Sequence, residues 1–245
     1  MDLLENTTAI KKSLGVSNME VLNSGKGYRG SGVSNIEENQ HSVDFALTTY
    51  CQAKCRSCAR TNDVTGEKED WLELKHMDLD IFKSTLNASP NIKLTDIEFC
   101  GEFGDPMMHP RVDKFIETAL EYAPRVVIST NGGLRNHSWY ADIAKKYGNK
   151  LYIMWAIDGA THDVNWKYRE GVDFNKAFEN MKSYTQAGGI GEWWYLLFEW
   201  NWHQIPLARK LAKEIGVSVR FRYNNRMFGL ITPESRIQAE DLLHE

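Results

Sequence analysis

A regular alternation of strand-like and helix-like segments restricts the possible folds of this chain more than any other feature. Short runs of β-branched and aromatic residues predict strands, and the longer segments between them carry apolar residues at helical spacing. Strands and helices that alternate in this way form parallel sheets through right-handed crossovers. The sheet either closes into a barrel or winds as an open doubly wound sheet, and periodicity alone does not choose between the two.

Six strands are predicted, over residues 43–49, 94–100, 125–130, 151–158, 192–199 and 217–222. Five helices are predicted between them, over residues 77–88, 110–123, 138–148, 175–189 and 204–216. The organisation is an N-terminal extension over 1–42, a core over 43–222 and a C-terminal tail over 223–245. The extension contains a short predicted helix near residues 8–14, and the tail forms one helix with Thr232 as N-cap and Pro233 at its first position.

The composition indicates a globular protein and excludes several classes of function. The 245 residues are 42% hydrophobic and 25% charged, which is typical of a folded domain, and we expect a single one. The net charge of -4 disfavours bulk binding to nucleic acid or to an anionic membrane surface. The first residues lack the apolar segment of a secretory signal, and no apolar run reaches the roughly 18 residues of a membrane span. We therefore expect a soluble, cytoplasmic protein.

Three of the four cysteines, Cys51, Cys55 and Cys58, follow the first predicted strand in the segment TTYCQAKCRSCAR. So few cysteines, clustered in this way, do not suit the disulfide framework of a small secreted protein, and a metal site explains them better. Thiolates are the natural ligands of a cubane iron-sulfur cluster. A C-x3-C-x2-C loop wraps three of its corners, so one iron keeps an open coordination site.

This spacing after the first strand resembles the radical S-adenosylmethionine (radical SAM) superfamily. The resemblance covers residues 43–222 and implies a partial (β/α)6 barrel of the TIM type. It also implies a [4Fe-4S] cluster held by Cys51, Cys55 and Cys58, whose open iron chelates the amino and carboxylate groups of SAM. In that family an electron from the reduced cluster cleaves SAM into methionine and a 5'-deoxyadenosyl radical, which abstracts a hydrogen atom from the substrate.

Further segments support this resemblance. The segment FCGEFGDPMMHP is similar to the GGEP segment of the family, which places Gly104 and Asp105 at the SAM amino group, with Glu102 able to share the role of Asp105. The segment STNGG is similar to the polar end of the third strand and makes Ser129 and Asn131 hydrogen-bonding candidates. Taken without the family, both segments are also ordinary turns.

The fourth strand is followed by IDG and YREGVDF, a pattern that resembles radical SAM enzymes that modify peptides. By this resemblance Arg169 binds the SAM carboxylate, a role that suits a planar guanidinium. Asp158 serves the ribose, the substrate or the local scaffold. Two residues depart from the family pattern: Ser57 replaces an aromatic residue between the last two cysteines, and Ala156 replaces a serine that contacts SAM.

The resemblance also implies partners. We expect an external electron donor of the flavodoxin or ferredoxin type, because nothing in the chain resembles a flavin or nicotinamide site. The substrate is unidentified; the pattern leans toward a peptide or protein, with nucleotides and small metabolites as alternatives. The fourth cysteine, Cys100, is interpreted as a buried apolar residue, so the chain resembles a family core without cysteines for auxiliary clusters.

Two other classes of function are compatible with the sequence. Cys100 and the three loop cysteines would make a four-thiolate zinc site in a binding protein. Alternatively, the fold is a scaffold that holds a cluster without cleaving SAM, which Ser57 and Ala156 make conceivable. Three arginines near the last strand, Arg220, Arg222 and Arg226, are interpreted as a solvated face in preference to a site for an anionic substrate. No role is assigned to His109, His162 or Asp163.

Overall fold

The structure, a computed structural model, describes residues 41–225 and 228–244. Its centre is one sheet of six parallel strands in the order β1-β2-β3-β4-β5-β6. The strands are β1 His41–Phe45, β2 Leu94–Phe99, β3 Arg125–Thr130, β4 Leu151–Ala156, β5 Ile190–Leu197 and β6 Ser218–Tyr223. Among the described residues β1 and β6 do not pair, so the sheet stays open. The predicted partial (β/α)6 barrel is confirmed.

Seven α-helices occur in the described part of the chain, and most connect successive strands. They are α1 Leu79–Asn87, α2 Val112–Tyr122, α3 His137–Tyr147, α4 His162–Trp166, α5 Phe174–Gln186, α6 Ile205–Ile215 and α7 Pro233–His244. Side chains cap several of them: Asp78 accepts from the N–H groups of Asp80 and Ile81, and Asn136 accepts from that of Trp139. None of the helices in residues 41–225 and 228–244 is long and apolar enough to cross a membrane.

The two faces of the sheet differ in chemistry because successive side chains point to opposite sides. One face of β2 carries Ile97 and Phe99, which are fully buried, and the Phe99 ring packs against Phe82 of α1 and Phe115 of α2. Each such phenylalanine contributes about 1.5–3 kcal/mol to stability by its burial. The other face of β2 carries Asp96 and Glu98. The hydrophobic core therefore lies between this face of the sheet and the helices, and β2 presents two carboxyl groups to the opposite, inner face.

The first strand ends earlier than predicted. β1 stops at Phe45, and the next residues pair with residues 75–77 instead of with β2. The N–H of Thr49 donates to the carbonyl of Lys75 at 3.0 Å, and the N–H of Met77 donates to the carbonyl of Leu47 at 2.8 Å. This antiparallel contact ties the start of the cysteine segment to the residues that lead into α1.

Other predicted boundaries shift by a few residues. Helix α2 starts at Val112, two residues after Pro110, and β5 ends at Leu197, so Trp200 and Trp202 lie beyond the strand. Within β5, Trp193 is buried and packs near Phe178 of α5. Helix α4 was not predicted.

The cap of α7 is confirmed, since the Thr232 hydroxyl accepts from the N–H of Ser235 at 3.2 Å. The predicted helix near residues 8–14 and Arg226 lie outside the described residues.

Candidate functional site

A cavity of about 270 Å³ lies at the carboxyl ends of the strands, where functional groups of parallel α/β folds collect. Nine of the ten predicted site residues line it. They are Cys51, Cys55, Cys58, Glu102, Gly104, Asp105, Ser129, Asn131 and Arg169. The tenth, Asp158, lines an adjoining cavity. The fold therefore brings together motifs that are separated by more than a hundred positions in the chain.

The three loop cysteines are free thiols that line the same cavity. A turn joins the last two, since the N–H of Cys58 donates to the carbonyl of Cys55 at 3.2 Å. Between them Ser57 has a φ of 57°, in the left-handed region, and its N–H donates to the Asp63 carboxylate at 2.7 Å. Asp63 therefore stabilises a backbone conformation that a non-glycine residue rarely adopts.

The guanidinium of Arg60 holds this loop together from within. Its side chain is buried and donates to four backbone carbonyls, those of Phe103 at 3.1 Å, Cys51 at 3.1 Å, Ala53 at 3.1 Å and Thr49 at 3.3 Å. Sequence reasoning missed this residue. The one feature of the sequence that could have indicated its role is its position, two residues after the third cysteine of the loop.

Hydrogen-bond donors lie near the sulfurs of Cys51 and Cys55. The N–H of Ala53 lies 3.4 Å from Cys51 Sγ, the Asn131 side-chain amide lies 3.7 Å from the same sulfur, and Arg169 Nη1 lies 3.8 Å from Cys55 Sγ. Burial raises the pKa of Cys51 to about 12 and also raises that of Cys55, so these thiols are protonated when no metal is bound. A metal replaces those protons, and the surrounding donors then stabilise the thiolates.

The cysteines do not converge on one point. In residues 41–225 and 228–244, no three His, Cys, Asp or Glu side chains form a group that holds a single metal ion. A cubane cluster has a different requirement, because its thiolates bind separate irons. Three free thiols on one loop, lining a cavity that also presents N–H donors, fit the donor set of such a cluster.

The Gly104–Asp105 segment is packed tightly under the cysteine loop. A Cβ atom on Gly104 would lie 2.2 Å from the carbonyl oxygen of Thr48, so only glycine fits there. The buried Asp105 carboxylate accepts hydrogen bonds from the N–H of Met107 at 2.9 Å, the N–H of Asn131 at 2.8 Å and the Thr130 hydroxyl at 2.9 Å. Asp105 thus joins the loop after β2 to the end of β3.

Asn131 connects the end of β3 to the cysteine loop. Its side-chain oxygen accepts from Gln52 Nε2 at 2.7 Å and from the N–H of Gly133 at 2.9 Å, while its side-chain nitrogen is 3.4 Å from Gln52 Oε1. Gln52 was not among the predicted site residues. It is a neighbour of Cys51, and nothing in its sequence position distinguishes it from a solvent-exposed loop residue.

Arg169 and Asp158 form an ion pair at the wall of the cavity. Arg169 Nε donates to Asp158 Oδ2 at 2.6 Å, and the two side chains are 17% and 0% exposed. The second carboxylate oxygen of Asp158 accepts from the N–H of Leu196 at 2.7 Å. Burial alone would lower the pKa of Arg169, but the charges of Asp158 and its neighbours raise it, so the guanidinium stays protonated. Asp158 therefore holds Arg169 in one orientation.

The segment around Arg169 also contacts the cysteine loop through its backbone. The N–H of Lys54 donates to the carbonyl of Glu170 at 2.8 Å, and a Cβ atom on Gly171, where φ is 88°, would lie 2.6 Å from the carbonyl oxygen of Gln52. The predicted YREG segment is thus a docking surface for the loop, and its glycine is required by this close approach.

Comparisons with solved structures give the same arrangement of strands and helices. Streptococcus suis SuiB bound to S-adenosylmethionine matches with a TM-score of 0.63 at 14% identity, over 83% of this chain and 46% of SuiB. Native anSMEcpe with bound AdoMet matches with a TM-score of 0.66 at 15% identity, over 84% of this chain and 59% of that one. The chain has the radical SAM superfamily fold.

A third structure with the radical SAM fold, methylornithine synthase (PylB), matches with a TM-score of 0.56 at 14% identity, over 83% of this chain and 62% of PylB. SuiB has also been seen bound to the precursor peptide SuiA, and anSMEcpe with AdoMet and the Kp18Cys peptide. The chain spans about half the length of SuiB and under two thirds of the other two. It matches no protein-family model and no curated protein.

A second cavity, of about 290 Å³, adjoins the first within the radical SAM fold. The two share five lining residues, namely Gly101, Ser129, Ala156, Arg169 and Leu196. The second cavity extends toward β5 and β6, where Trp194, Arg220 and Arg222 line it. These two arginines, interpreted from sequence as a solvated face, therefore line the inner wall of the partial barrel.

Cys100 and His109 occupy other surroundings. Burial raises the pKa of the Cys100 thiol to about 12, with Asp44 and Glu98 adding to the effect, so Cys100 lies beside acidic groups of β1 and β2. His109 is buried, its Nε2 is 3.1 Å from the Met77 carbonyl, and its Nδ1 accepts from the N–H of Arg111. Both of its ring nitrogens are thus used in holding the turn before α2.

Proposed function

We propose that this chain is a radical SAM enzyme that cleaves S-adenosylmethionine reductively at a [4Fe-4S] cluster bound by Cys51, Cys55 and Cys58. One observation carries the proposal: three free cysteines of a single loop line one cavity together with Arg169 and Gly104, in a fold shared with two proteins whose structures contain SAM. When bound and reduced, the cluster supplies the electron that converts SAM to methionine and a 5'-deoxyadenosyl radical.

Different residues of the chain position different groups of SAM. Arg169, held by Asp158, presents a fixed guanidinium to the SAM carboxylate. Gly104 and Glu102 line the cavity, where the Gly104 carbonyl and the Glu102 carboxylate suit the SAM amino group, while Ser129 and Asn131 supply polar contacts. The sequence assigned Asp105 to the amino group. Because its carboxylate accepts hydrogen bonds from three donors of the protein, we propose that it acts by joining the loop that contains Gly104 to the end of β3.

Three further parts of the proposal concern partners and place. The electron comes from an external donor of the flavodoxin or ferredoxin type. The substrate is a peptide or protein in preference to a nucleotide or small metabolite, and the peptides bound to SuiB and anSMEcpe support this choice. Cytoplasmic location follows from the same proposal, because reducing compartments preserve free thiols.

The experiment is anaerobic reconstitution with iron and sulfide, followed by dithionite and SAM. We expect about four irons per chain and formation of 5'-deoxyadenosine. Replacing Cys51, Cys55 and Cys58 together by alanine should abolish both, whereas the matched variant Cys100→Ala should keep both. Zinc binding without iron would show the four-thiolate zinc site instead. A bound cluster without 5'-deoxyadenosine would show the scaffold.

A further inference from the structure

The second cavity has a volume and a position that suit the reacting part of a substrate. Its volume of about 290 Å³ lies near the lower end of small-molecule sites, which run from about 300 to 1,000 Å³. Because it shares Ser129, Ala156 and Arg169 with the first cavity, a group bound there is next to bound SAM. The chemistry of its remaining walls therefore selects the substrate.

Most charges around this cavity are compensated by ion pairs. Arg169 pairs with Asp158 at 2.6 Å, and Arg220 of β6 pairs with Glu192 of β5 at 2.7 Å. Each of these pairs is formally neutral. The remaining charged residue of the lining is Arg222, and within the described residues no carboxylate oxygen lies within 4.0 Å of its guanidinium nitrogens. Arg222 is thus the charged residue of this lining that forms no ion pair with another described residue.

Packing holds the Arg222 guanidinium in place. Its Cζ lies 4.6 Å from the centroid of the Trp194 ring, and the Cζ of Arg220 lies 5.8 Å from the same ring. Stacking on an indole stabilises a guanidinium but leaves its in-plane N–H groups available. Those N–H groups form the planar fork that binds carboxylates and phosphates in a bidentate manner.

We propose that Arg222, stacked on Trp194, binds an anionic group of the substrate, a carboxylate or a phosphate, in this second cavity. The inference rests on the proposed function, since it assigns the cavity to the substrate of the SAM-cleaving reaction. Arg222 is then a specificity-determining residue: it selects substrates that carry a negative charge near the carbon whose hydrogen is abstracted. Arg220, already paired with Glu192, shapes the same wall.

The test is calorimetric titration of the reconstituted, SAM-loaded protein at constant ionic strength, with inorganic phosphate in one arm and acetate in the other. We expect one anion per chain in at least one arm, and the stronger arm identifies the phosphoryl or the carboxylate class. Arg222→Gln should weaken binding about tenfold or more, because it removes a charge-assisted bidentate contact. Arg222→Lys keeps the charge but loses the planar fork of N–H groups, so its anion affinity should lie between those of the unmodified protein and of Arg222→Gln.

Arg236→Gln is the matched control, because Arg236 also lies over an aromatic ring, 4.3 Å from the Tyr223 centroid, but outside the cavity. It should bind anions as the unmodified protein does. Absence of binding in both arms, or equal binding by Arg222→Gln, would overturn the inference even if 5'-deoxyadenosine forms. If Arg222→Gln fails to fold, modification of Arg222 by phenylglyoxal, with and without the anion, replaces it: protection supports the site and its absence overturns it.

Discussion

The two cavities at the mouth of the partial barrel differ in how their charges are held. Around the first, Arg60 donates to four carbonyls, Asp105 accepts from three donors and Arg169 is paired with a fully buried Asp158. The second cavity shares Arg169 and also contains the paired Arg220, but at its edge Arg222 is exposed, contacts the face of Trp194 and forms no ion pair with another described residue. A site whose charges are already bonded to the protein is preorganised for a constant cofactor. A site with an unpaired arginine such as Arg222 is suited to bind an anionic group of a substrate.

The largest effect should come from the buried ion pair. Arg169→Ala leaves the carboxylate of Asp158, which is 0% exposed, without its cation, and we expect the free energy of unfolding to fall by about 3–5 kcal/mol. Denaturant titration measures this change. The matched variant Arg236→Ala, which breaks a pair about half exposed on both sides, should change it by under about 1 kcal/mol. Similar values for the two variants would show that the buried ion pair of the first cavity wall is held no more tightly than an exposed pair.

A smaller effect should come from the loop itself. Arg60→Met keeps the volume of the side chain but leaves four carbonyl groups without their donor, and we expect a loss of about 2–3 kcal/mol. The same variant should retain less iron after reconstitution and desalting, because the cysteine loop loses its internal support. Full iron retention would show that the cysteines, and not Arg60, determine the shape of the loop.

One group on the inner face of β2 should respond to pH. Burial raises the pKa of Glu98 from 4.5 to about 7, with Asp44 and Asp96 adding to the effect. The folded protein therefore binds more protons than the unfolded chain between about pH 4.5 and 7, so this carboxyl lowers stability as the pH rises through that window. Glu98→Gln should remove this loss. Its free energy of unfolding, compared with that of the unmodified protein, should be higher at pH 8 than at pH 4 by on the order of 1–3 kcal/mol.

Glu117→Gln is the control of opposite sign. Hydrogen bonds from Lys114 and Lys146 lower the pKa of Glu117 from 4.5 to about 2, so its charged form stabilises the fold at neutral pH, and this contribution is lost as the pH falls from about 4.5 to about 2. The variant should therefore be less stable than the unmodified protein at pH 8. Equal pH profiles for Glu98→Gln and the unmodified protein would show that Glu98 is ionised in the folded state.

The smallest effect on stability should come from the second cavity. Arg222 is exposed, and Arg222→Gln should change the free energy of unfolding by no more than about 0.5 kcal/mol. Thermal and denaturant unfolding without added anion measure this. A loss comparable to that of Arg169→Ala would mean that Arg222 is a structural residue.

The sequence predicted site residues that stand in local motifs and missed those whose roles depend on long-range contacts. The cysteines, Gly104, Asn131 and Arg169 stand in short motifs at strand ends, and parallel strands bring all of their ends to one edge. Arg60 and Gln52 act through long-range contacts with carbonyls and amides that no local pattern displays. Arg222 is exposed, as a solvated face requires, but its place on the wall of the second cavity depends on the register of β6 and on Trp194 of the neighbouring strand, which no local pattern displays. The early end of β1 likewise depends on residues 75–77.

The central claim is that three thiolates hold a cluster whose remaining iron binds SAM. The most direct measurement is the electron paramagnetic resonance spectrum of the reconstituted, dithionite-reduced protein before and after addition of SAM. We expect the signal of a reduced [4Fe-4S] cluster whose g values shift when SAM is added. Protein that stays colourless and free of iron, or a cluster signal that SAM leaves unchanged, would contradict it.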